Sequence, residues 1–214
     1  MKTDLIIFDL DGTLVNSIPD LTDSLNYVSH LRNHNKFTED RVKSIVGGGV
    51  SKLIEDAFEI NKNDEDFQEI FSQFLLFYKN NHSKRSHLYK NVLNTLEHYK
   101  LKKLAILSNK LDVFTKQIVK DFGIDKYFDI VLGATDGIAR KPSSEPINHI
   151  LKKLNISADK AIMVGDSEPD IITAMNAGIT SVSVTYGYRS KEQLAKLNPN
   201  FMIDELTELK TIIE

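Results

Sequence analysis

Five short runs of apolar residues, rich in β-branched side chains, recur along this chain. Several of them stop at glycine or at a polar residue. The runs occupy residues 5–8, 104–107, 130–132, 161–164 and 180–184. Short uninterrupted apolar runs are typical of strands that are buried on both faces of a parallel sheet. We therefore predict five such strands.

Helical periodicity separates the later runs from one another. The predicted helices are 92–99, 113–122, 146–154 and 169–177. Proline lies near the first turn of the last two, and Gly123 and Gly178 lie where helix ends are expected. Strands that alternate with helices of this length predict an α/β fold in three layers, with helices on both faces of a parallel sheet.

Residues 16–86 break this alternation. They carry helical patterns at 18–31, 50–60 and 67–78 but no convincing buried strand. We predict that they form an inserted helical domain, and that residues 1–15 and 87–214 form the α/β core. The polar segments 16–17 and 83–87 are the expected hinges.

Composition narrows the class of protein. A length of 214 residues allows one domain with an insertion, and a net charge of −3 provides no basic face for nucleic acid or an anionic membrane. The absence of cysteine excludes disulfides, thiolate metal sites and cysteine nucleophiles. No segment has the roughly 20 apolar residues that cross a bilayer, so a cytoplasmic enzyme is the expectation.

Polar side chains follow the predicted strands where each strand ends, and in a parallel sheet these ends share one edge. The residues are Asp9, Asp11, Ser108, Asn109, Lys141, Asp166 and Asp170. Converging carboxylates repel one another unless a cation joins them, and carboxylate, carbonyl and water oxygens suit Mg²⁺. We predict Asp9 and Asp166 as metal ligands, Asp11 as a ligand through its backbone carbonyl, and Asp170 in support.

Four segments, in order, resemble the motifs of the haloacid dehalogenase-like hydrolase superfamily. They are Asp-Leu-Asp-Gly-Thr-Leu at 9–14, Ser-Asn-Lys at 108–110, Lys-Pro at 141–142 and Gly-Asp-Ser-x-x-Asp at 165–170. The resemblance implies a Rossmann-like core and an α-helical cap domain that moves over the active site. It also implies that Asp9 attacks phosphorus and that Asp11 acts as general acid and then as general base.

The chemistry of these residue types agrees with that assignment. An aspartate is ionised at neutral pH, and an aspartyl phosphate divides one difficult displacement into two easier ones. Lys141 and Mg²⁺ would offset the charge of the phosphoryl group, while Ser108 and the amides from Leu10 to Gly12 would hold its oxygens. One departure from the family pattern is a longer loop after Lys141, in which Ser143 and Ser144 precede Glu145.

Each motif also has a structural explanation when it is taken alone. Asp-x-Asp-Gly is common in turns, Ser108 and Asp166 are residue types that cap helices, and a lone lysine such as Lys141 is usually on the surface. The four motifs together, in order, favour the functional interpretation.

Other members of the superfamily remain alternatives. Haloacid dehalogenases lack an aspartate at the position of Asp11, which argues against that branch. Phosphonoacetaldehyde hydrolases use a cap lysine as a Schiff base, for which Lys52 is a nominal candidate. A sugar phosphomutase, and a non-catalytic binding protein on the same scaffold, stay open.

Several segments resemble the phosphoglycolate phosphatase branch, namely residues 16–21, the loop 45–49, Tyr89 and residues 108–110. Backbone amides near Gly48 suit a small anion. Lys43 and Arg85 are candidate partners for a carboxylate. We expect a small phosphate monoester, phosphoglycolate first, as substrate, with Gly48, Lys43, Ser108 and Asn109 among the residues that bind it.

Overall fold

The computed structural model describes residues 1–213, which divide into two compact units. One unit contains residues 1–15 and the chain from Leu88 onward, and the other contains Asn16–His87. The strands are β1 Leu5–Phe8, β2 Val15–Asn16, β3 His87–Leu88, β4 Lys103–Leu111, β5 Ile130–Ala134, β6 Ala161–Gly165, β7 Thr180–Val184 and β8 Phe201–Ile203. The helices are α1 Ile18–Leu31, α2 Glu39–Ile45, α3 Val50–Phe58, α4 Phe67–Asn81, α5 Val92–His98, α6 Asp112–Asp121, α7 Glu145–Leu154, α8 Glu168–Ala177, α9 Lys191–Ala195 and α10 Leu209–Ile212. Within residues 1–213, no helix is both long and apolar enough to span a membrane.

Six strands form one parallel sheet in the order β5-β4-β1-β6-β7-β8. Strand β1 is central: Leu5 to Phe8 pair with β4 on one side and with β6 on the other. All four residues of β1 are fully buried, as expected for a strand covered on both faces. The predicted α/β fold with a parallel sheet is confirmed, and residue 9 leaves the sheet at the centre of its carboxyl edge.

Side chains alternate between the two faces of the sheet. Leu5 and Ile7 join a buried cluster with Ile147 and Ile150 of α7, while Phe8 meets the edge of the Phe128 ring at 6.4 Å between centroids. Fully burying an aliphatic side chain of this kind contributes about 1.5–3 kcal/mol. This packing on both faces holds β1, and so the start of the segment at Asp9, in the middle of the sheet.

The sheet departs from the sequence prediction in two places. Strand β4 continues past Leu107 to Leu111, and its pairing with β5 is irregular between these two residues. An edge strand, β8, was not predicted because it has three residues, of which Phe201 and Met202 are partly exposed. The two-residue strands β2 and β3 and the short helices α9 and α10 were not predicted either. The limits of the predicted strands and helices differ from the observed ones by a few residues.

The regular secondary structure of the unit Asn16–His87 consists of four helices, α1 to α4, and of the residues that β2 and β3 contribute at its ends. Helix α1 packs on α4, with Tyr27 stacked on Phe77 at 4.5 Å between ring centroids. Helix α2 was not predicted, because Val42 is its one buried residue and so leaves no apolar periodicity. The predicted helix 50–60 ends at Phe58, where Glu59 adopts a left-handed conformation.

Asp20, in the first turn of α1, forms hydrogen bonds with the last residues of the helical unit. Its buried carboxylate accepts hydrogen bonds from the amides of Lys84, Arg85 and Ser86 and from the Ser86 hydroxyl. A carboxylate with this many donors is strongly held. The returning segment is therefore fixed locally to α1.

Candidate active site

The strand ends bring three aspartates together in the core unit. Asp9 follows β1, Asp166 follows β6, and Asp170 lies in the first turn of α8. One carboxylate oxygen from each lies within 4.8 Å of the others, and all three residues are buried. The sheet order explains this arrangement, because β1 and β6 are neighbours.

Lys141 lies among these carboxylates. Its Nζ is 2.9 Å from Asp9 Oδ1 and 2.6 Å from Asp170 Oδ1, and 2% of its side chain is exposed. The alternative of a surface lysine is therefore wrong. The longer loop after Lys141 still allows its ammonium to reach the aspartates, and we refer to Asp9, Lys141, Asp166 and Asp170 as the four-residue cluster.

Asp170 is oriented by the start of α8. The amide and hydroxyl of Ser167 donate to its Oδ2 at 3.0 and 2.6 Å, and Lys141 donates to its Oδ1. Ser167 and Asp170 form a capping box, so Ser167, and not Asp166, caps this helix. A Cβ on Gly165 would lie 2.3 Å from Asp170 Cβ, and only glycine leaves room for the carboxylate.

Burial and mutual repulsion perturb the acids of the cluster. Burial raises the pKa of Asp9 well above its usual range. The positive charge of Lys141 opposes this shift, whereas repulsion by Asp170 and Asp166 adds to it. Burial and the charge of Asp170 raise the pKa of Asp166 to about 7. Burial lowers the pKa of Lys141, but the charges of Asp170 and Asp9 outweigh it and leave the pKa above the ordinary lysine value.

The donor set fits a hard divalent cation. Three buried carboxylates face one ammonium in the cluster, so a negative charge remains that another cation would neutralise. Oxygen ligands of this kind suit Mg²⁺, which uses one or two protein carboxylates and completes its shell with water and substrate phosphate. The predicted ligands Asp9 and Asp166 and the supporting Asp170 lie together, as such a site requires.

Asp11 forms a second ionic contact that the sequence did not predict. Lys110 Nζ lies 2.9 Å from Asp11 Oδ2, with 8% of the lysine side chain and 14% of the aspartate side chain exposed. Lys110 belongs to the irregular end of β4, beyond the apolar run 104–107. We refer to these two residues as the Asp11–Lys110 pair.

Short-range hydrogen bonds hold the loop after β1 in a tight turn. The Leu10 amide donates to Asp9 Oδ1 at 2.7 Å, and the Gly12 amide donates to the Val15 carbonyl at 2.9 Å. Gly12 has φ +85°, and a Cβ there would lie 2.3 Å from Asp166 Oδ2. Glycine is therefore required both for the backbone conformation and for space beside Asp166. The role predicted for the two amides, in holding phosphoryl oxygens, stays a prediction.

The segment after β7 supports this loop and was not predicted. Tyr186 Oη donates to the Thr13 carbonyl at 2.7 Å, and the Tyr188 amide donates to Asp166 Oδ2 at 2.7 Å. A Cβ on Gly187 would lie 2.3 Å from Asp166 Cβ. Functional residues of parallel sheets lie after the carboxyl ends of the strands, and this holds for β7 as well. The position of the segment directly after β7 could therefore have pointed to it.

Ser108 and Asn109 lie within β4 and are buried. Ser108 Oγ accepts from the Lys110 amide at 3.2 Å, and Asn109 Nδ2 donates to the Lys141 carbonyl at 3.1 Å. The N-cap of α6 is Leu111, so the alternative that Ser108 caps this helix is wrong. Asn109 links β4 to the loop that carries Lys141.

The candidate residues of the helical unit are more exposed. Lys43 lies on α2 with its side chain at the surface, and Gly48 lies in the turn before α3. Their predicted contacts with substrate stay predictions. Arg85, the other candidate for a carboxylate, pairs with Asp23 at 2.8 Å and with Glu39 at 2.9 Å.

Lys52 does not have the environment of a Schiff-base lysine. It is exposed and lies 2.6 Å from Asp56. The hydrogen bond with Asp56, and then the charge of Asp56, raise the pKa of Lys52, whereas a reactive amine needs a lowered pKa. The phosphonoacetaldehyde hydrolase alternative therefore loses its candidate residue.

Comparison with known proteins agrees with the fold and the motifs. The family model described as haloacid dehalogenase-like hydrolase matches residues 6–184, and the chain belongs to this family. A phosphoglycolate phosphatase from Vibrio parahaemolyticus is 36% identical over 98% of this chain and 95% of its own length. A phosphoglycolate phosphatase from Pasteurella multocida is also 36% identical, over 98% of each chain.

A solved structure shows the same architecture. A predicted phosphoglycolate phosphatase from Haemophilus somnus superposes with a TM-score of 0.92 and is 33% identical, over 99% of this chain and 98% of its own. The Rossmann-like core with a helical insertion is thus shared over essentially the full length. The residues of the four motifs lie where this fold brings strand ends together.

Proposed function

We propose that this chain is a magnesium-dependent phosphatase that hydrolyses a small phosphate monoester, with phosphoglycolate as the leading substrate. The observation that carries the proposal is the four-residue cluster, in which Lys141 bridges Asp9 and Asp170 beside Asp166. Buried acids with strongly perturbed pKa values are found preferentially at functional sites.

Asp9 is the nucleophile in this proposal. The Leu10 amide and Lys141 Nζ both donate to its Oδ1, so the carboxylate is held in one orientation and Oδ2 can attack phosphorus. The attack forms a covalent aspartyl phosphate and releases the alcohol, and water then hydrolyses that intermediate. Fixing the carboxylate in advance lowers the barrier, because the reacting groups do not have to be ordered during the reaction.

Asp11 protonates the leaving alcohol and then removes a proton from the attacking water. General acid–base catalysis of this kind contributes about 10²–10⁴-fold. Asp11 lies in the same tight turn as Gly12, and the Tyr186 hydroxyl fixes the neighbouring Thr13 carbonyl. The backbone around the general acid is therefore held in place.

Charge on the phosphoryl group is balanced by Lys141 and by Mg²⁺. Asp9, Asp166 and the Asp11 carbonyl would hold the ion with Asp170 in support, and the bound ion would neutralise negative charge on the carboxylates and the phosphoryl oxygens. Ser108 is the further donor that we assign to those oxygens. The amides of Leu10 and Gly12 would reach them only after they leave Asp9 Oδ1 and the Val15 carbonyl, to which they donate in this structure. Asn109 acts through the backbone, because its amide holds the Lys141 carbonyl.

The choice of phosphoglycolate is supported by the named activity of the relatives, which cover nearly the full length of the chain. Lys43 and Gly48 of the helical unit are proposed as additional substrate contacts. The net charge of −3 does not favour a nucleic acid as substrate.

The test is phosphate release from a panel of phosphorylated metabolites with purified protein and Mg²⁺. Phosphoglycolate should be among the best substrates, EDTA should abolish release, and added Mg²⁺ should restore it. Asp9→Asn should abolish turnover, whereas Asp159→Asn, on an exposed turn, should not change it. Turnover that survives Asp9→Asn would refute the mechanism.

The same panel separates the phosphatase from a sugar phosphomutase. A phosphomutase converts isomeric hexose phosphates into one another and releases little free phosphate. Isomer conversion that exceeds phosphate release would favour that alternative, and the absence of both reactions would favour a binding protein.

A further inference from the structure

Lys110 is a buried cation whose role the proposed reaction leaves open. It lies in the core unit at the end of β4, with 8% of its side chain exposed. Burying an ammonium is costly unless a partner compensates it. Asp11 provides that partner, at 2.9 Å from Nζ.

The contact with Asp11 limits how far Lys110 can lie from a bound substrate. A general acid must come within about 2.6–3.2 Å of the bridging oxygen that it protonates. Lys110 Nζ is one hydrogen-bond length beyond the carboxylate of that acid. If Asp11 is the general acid, the ammonium therefore lies within about two hydrogen-bond lengths, roughly 6 Å, of the bridging oxygen.

The other buried lysine of the site has a different neighbourhood. Lys141 lies between Asp9 and Asp170, on the side of the nucleophile. A nucleophile and a leaving oxygen are on opposite sides of phosphorus in an in-line displacement. The two ammonium groups are consequently suited to different parts of the substrate.

We propose that Lys110 determines specificity by binding a carboxylate on the leaving alcohol, on the carbon that carries the bridging oxygen. This inference rests on the proposed function, because it takes Asp11 as the general acid. An ammonium has three N–H donors, so it can contact Asp11 and a second carboxylate together. Phosphoglycolate has its carboxylate in that position.

A substrate without this charge is the direct comparison. In 2-hydroxyethyl phosphate a hydroxymethyl group replaces the carboxylate, and the phosphate ester is otherwise the same. The wild-type protein should have a kcat/KM for phosphoglycolate at least tenfold higher, since hydrogen bonds between charged groups are stronger than neutral ones. Equal kcat/KM values in the wild type would overturn the inference without any variant.

The variant Lys110→Met removes the ammonium and keeps the length of the side chain. It should lower turnover of both substrates, because Asp11 loses the ammonium that lies 2.9 Å from its carboxylate. The ratio of kcat/KM between the charged and uncharged substrates should fall by roughly 10- to 100-fold, mainly through KM for phosphoglycolate. Lys110→Arg keeps the positive charge and should therefore retain more of the ratio than Lys110→Met does.

The matched control is Lys116→Met, at an exposed lysine that pairs with Asp112 on α6, and it should leave the ratio unchanged. An equal loss on both substrates in Lys110→Met would overturn the inference, because Lys110 would then act on Asp11 alone. Failure of the proposed function looks different: no phosphate release from either substrate, or turnover that persists in Asp9→Asn.

Discussion

The four-residue cluster is buried in the core unit, whereas the Asp11–Lys110 pair is partly buried, with 14% of the Asp11 side chain and 8% of the Lys110 side chain exposed. The charges of the two sites are also balanced differently. The cluster has three carboxylates and one ammonium, whereas the pair has one of each. Burial of unbalanced charge is unfavourable, and it raises the pKa values of Asp9 and Asp166.

The difference separates two tasks within the proposed reaction. The cluster has negative charge that a divalent cation would neutralise, so its residues suit metal binding and phosphoryl transfer. The pair contains an ammonium next to the proposed general acid, so this ammonium suits an anionic group on the leaving alcohol. Variants of the cluster, and of the general acid Asp11, should therefore reduce all turnover, whereas variants of Lys110 should also change substrate preference.

The largest effect after that of Asp9→Asn is expected for Lys141→Met. Asp9 loses the ammonium that orients it, and three buried carboxylates remain without a lysine, so kcat/KM should fall by about 10³-fold for every substrate. Breaking such a buried pair should also cost about 3–5 kcal/mol of the free energy of unfolding. Steady-state kinetics and thermal unfolding measure the two losses. Lys103→Met, which removes an exposed pair with Asp129, is the control, and a loss below tenfold in Lys141→Met would contradict the assigned role.

An intermediate effect is expected for Gly12→Ala. The new Cβ would lie 2.3 Å from Asp166 Oδ2, so the carboxylate or the loop has to move, and kcat/KM should fall by about 10²-fold, because displacements of about 1 Å at a site cost that much. Gly178→Ala is a matched control, since Gly178 also has a positive φ but nothing within 4 Å of a Cβ. It should lower the free energy of unfolding by about 1 kcal/mol or more and leave kcat/KM unchanged. Equal kinetic effects of the two variants would show that steric contact with Asp166 is unimportant.

The smallest effect is expected for Tyr186→Phe. It removes one hydrogen bond to the Thr13 carbonyl, which is worth about 0.5–1.5 kcal/mol, so kcat should fall by roughly 2- to 10-fold while the ratio between the charged and uncharged substrates stays constant. Tyr127→Phe loses a surface hydrogen bond to Glu97 and should not change kcat. A changed substrate ratio in Tyr186→Phe would place this tyrosine with the Asp11–Lys110 pair in selecting substrate.

The cluster could be predicted from the sequence because its members follow regular elements. Asp9 and Asp166 come directly after strands that periodicity identifies, and Asp170 follows within the next helical turn. Adjacent parallel strands bring such residues together whatever the details of packing. The position of Lys141 after the third predicted strand, in the Lys-Pro motif, predicted that it joins the same crevice. Its contacts with Asp9 and Asp170 could not be predicted, because Lys141 lies in an irregular loop.

The Asp11–Lys110 pair could not be predicted in the same way. The apolar run of β4 ends at Leu107, and the course of the next residues depends on irregular pairing with β5, which is a tertiary effect. Tyr186 was missed because a tyrosine after a strand has no composition signal of its own. Helix α2 was missed because one buried residue gives no helical periodicity.

The central claim is that Asp9 forms a covalent bond with the phosphoryl group, and chemical trapping tests it most directly. Enzyme that is turning over phosphoglycolate with Mg²⁺ would be quenched with borohydride, which reduces an acyl phosphate to an alcohol, and then digested for mass spectrometry. Residue 9 should appear as homoserine only when substrate and Mg²⁺ are both present. Unmodified Asp9 during active turnover, with reduction at another carboxylate, would contradict the account.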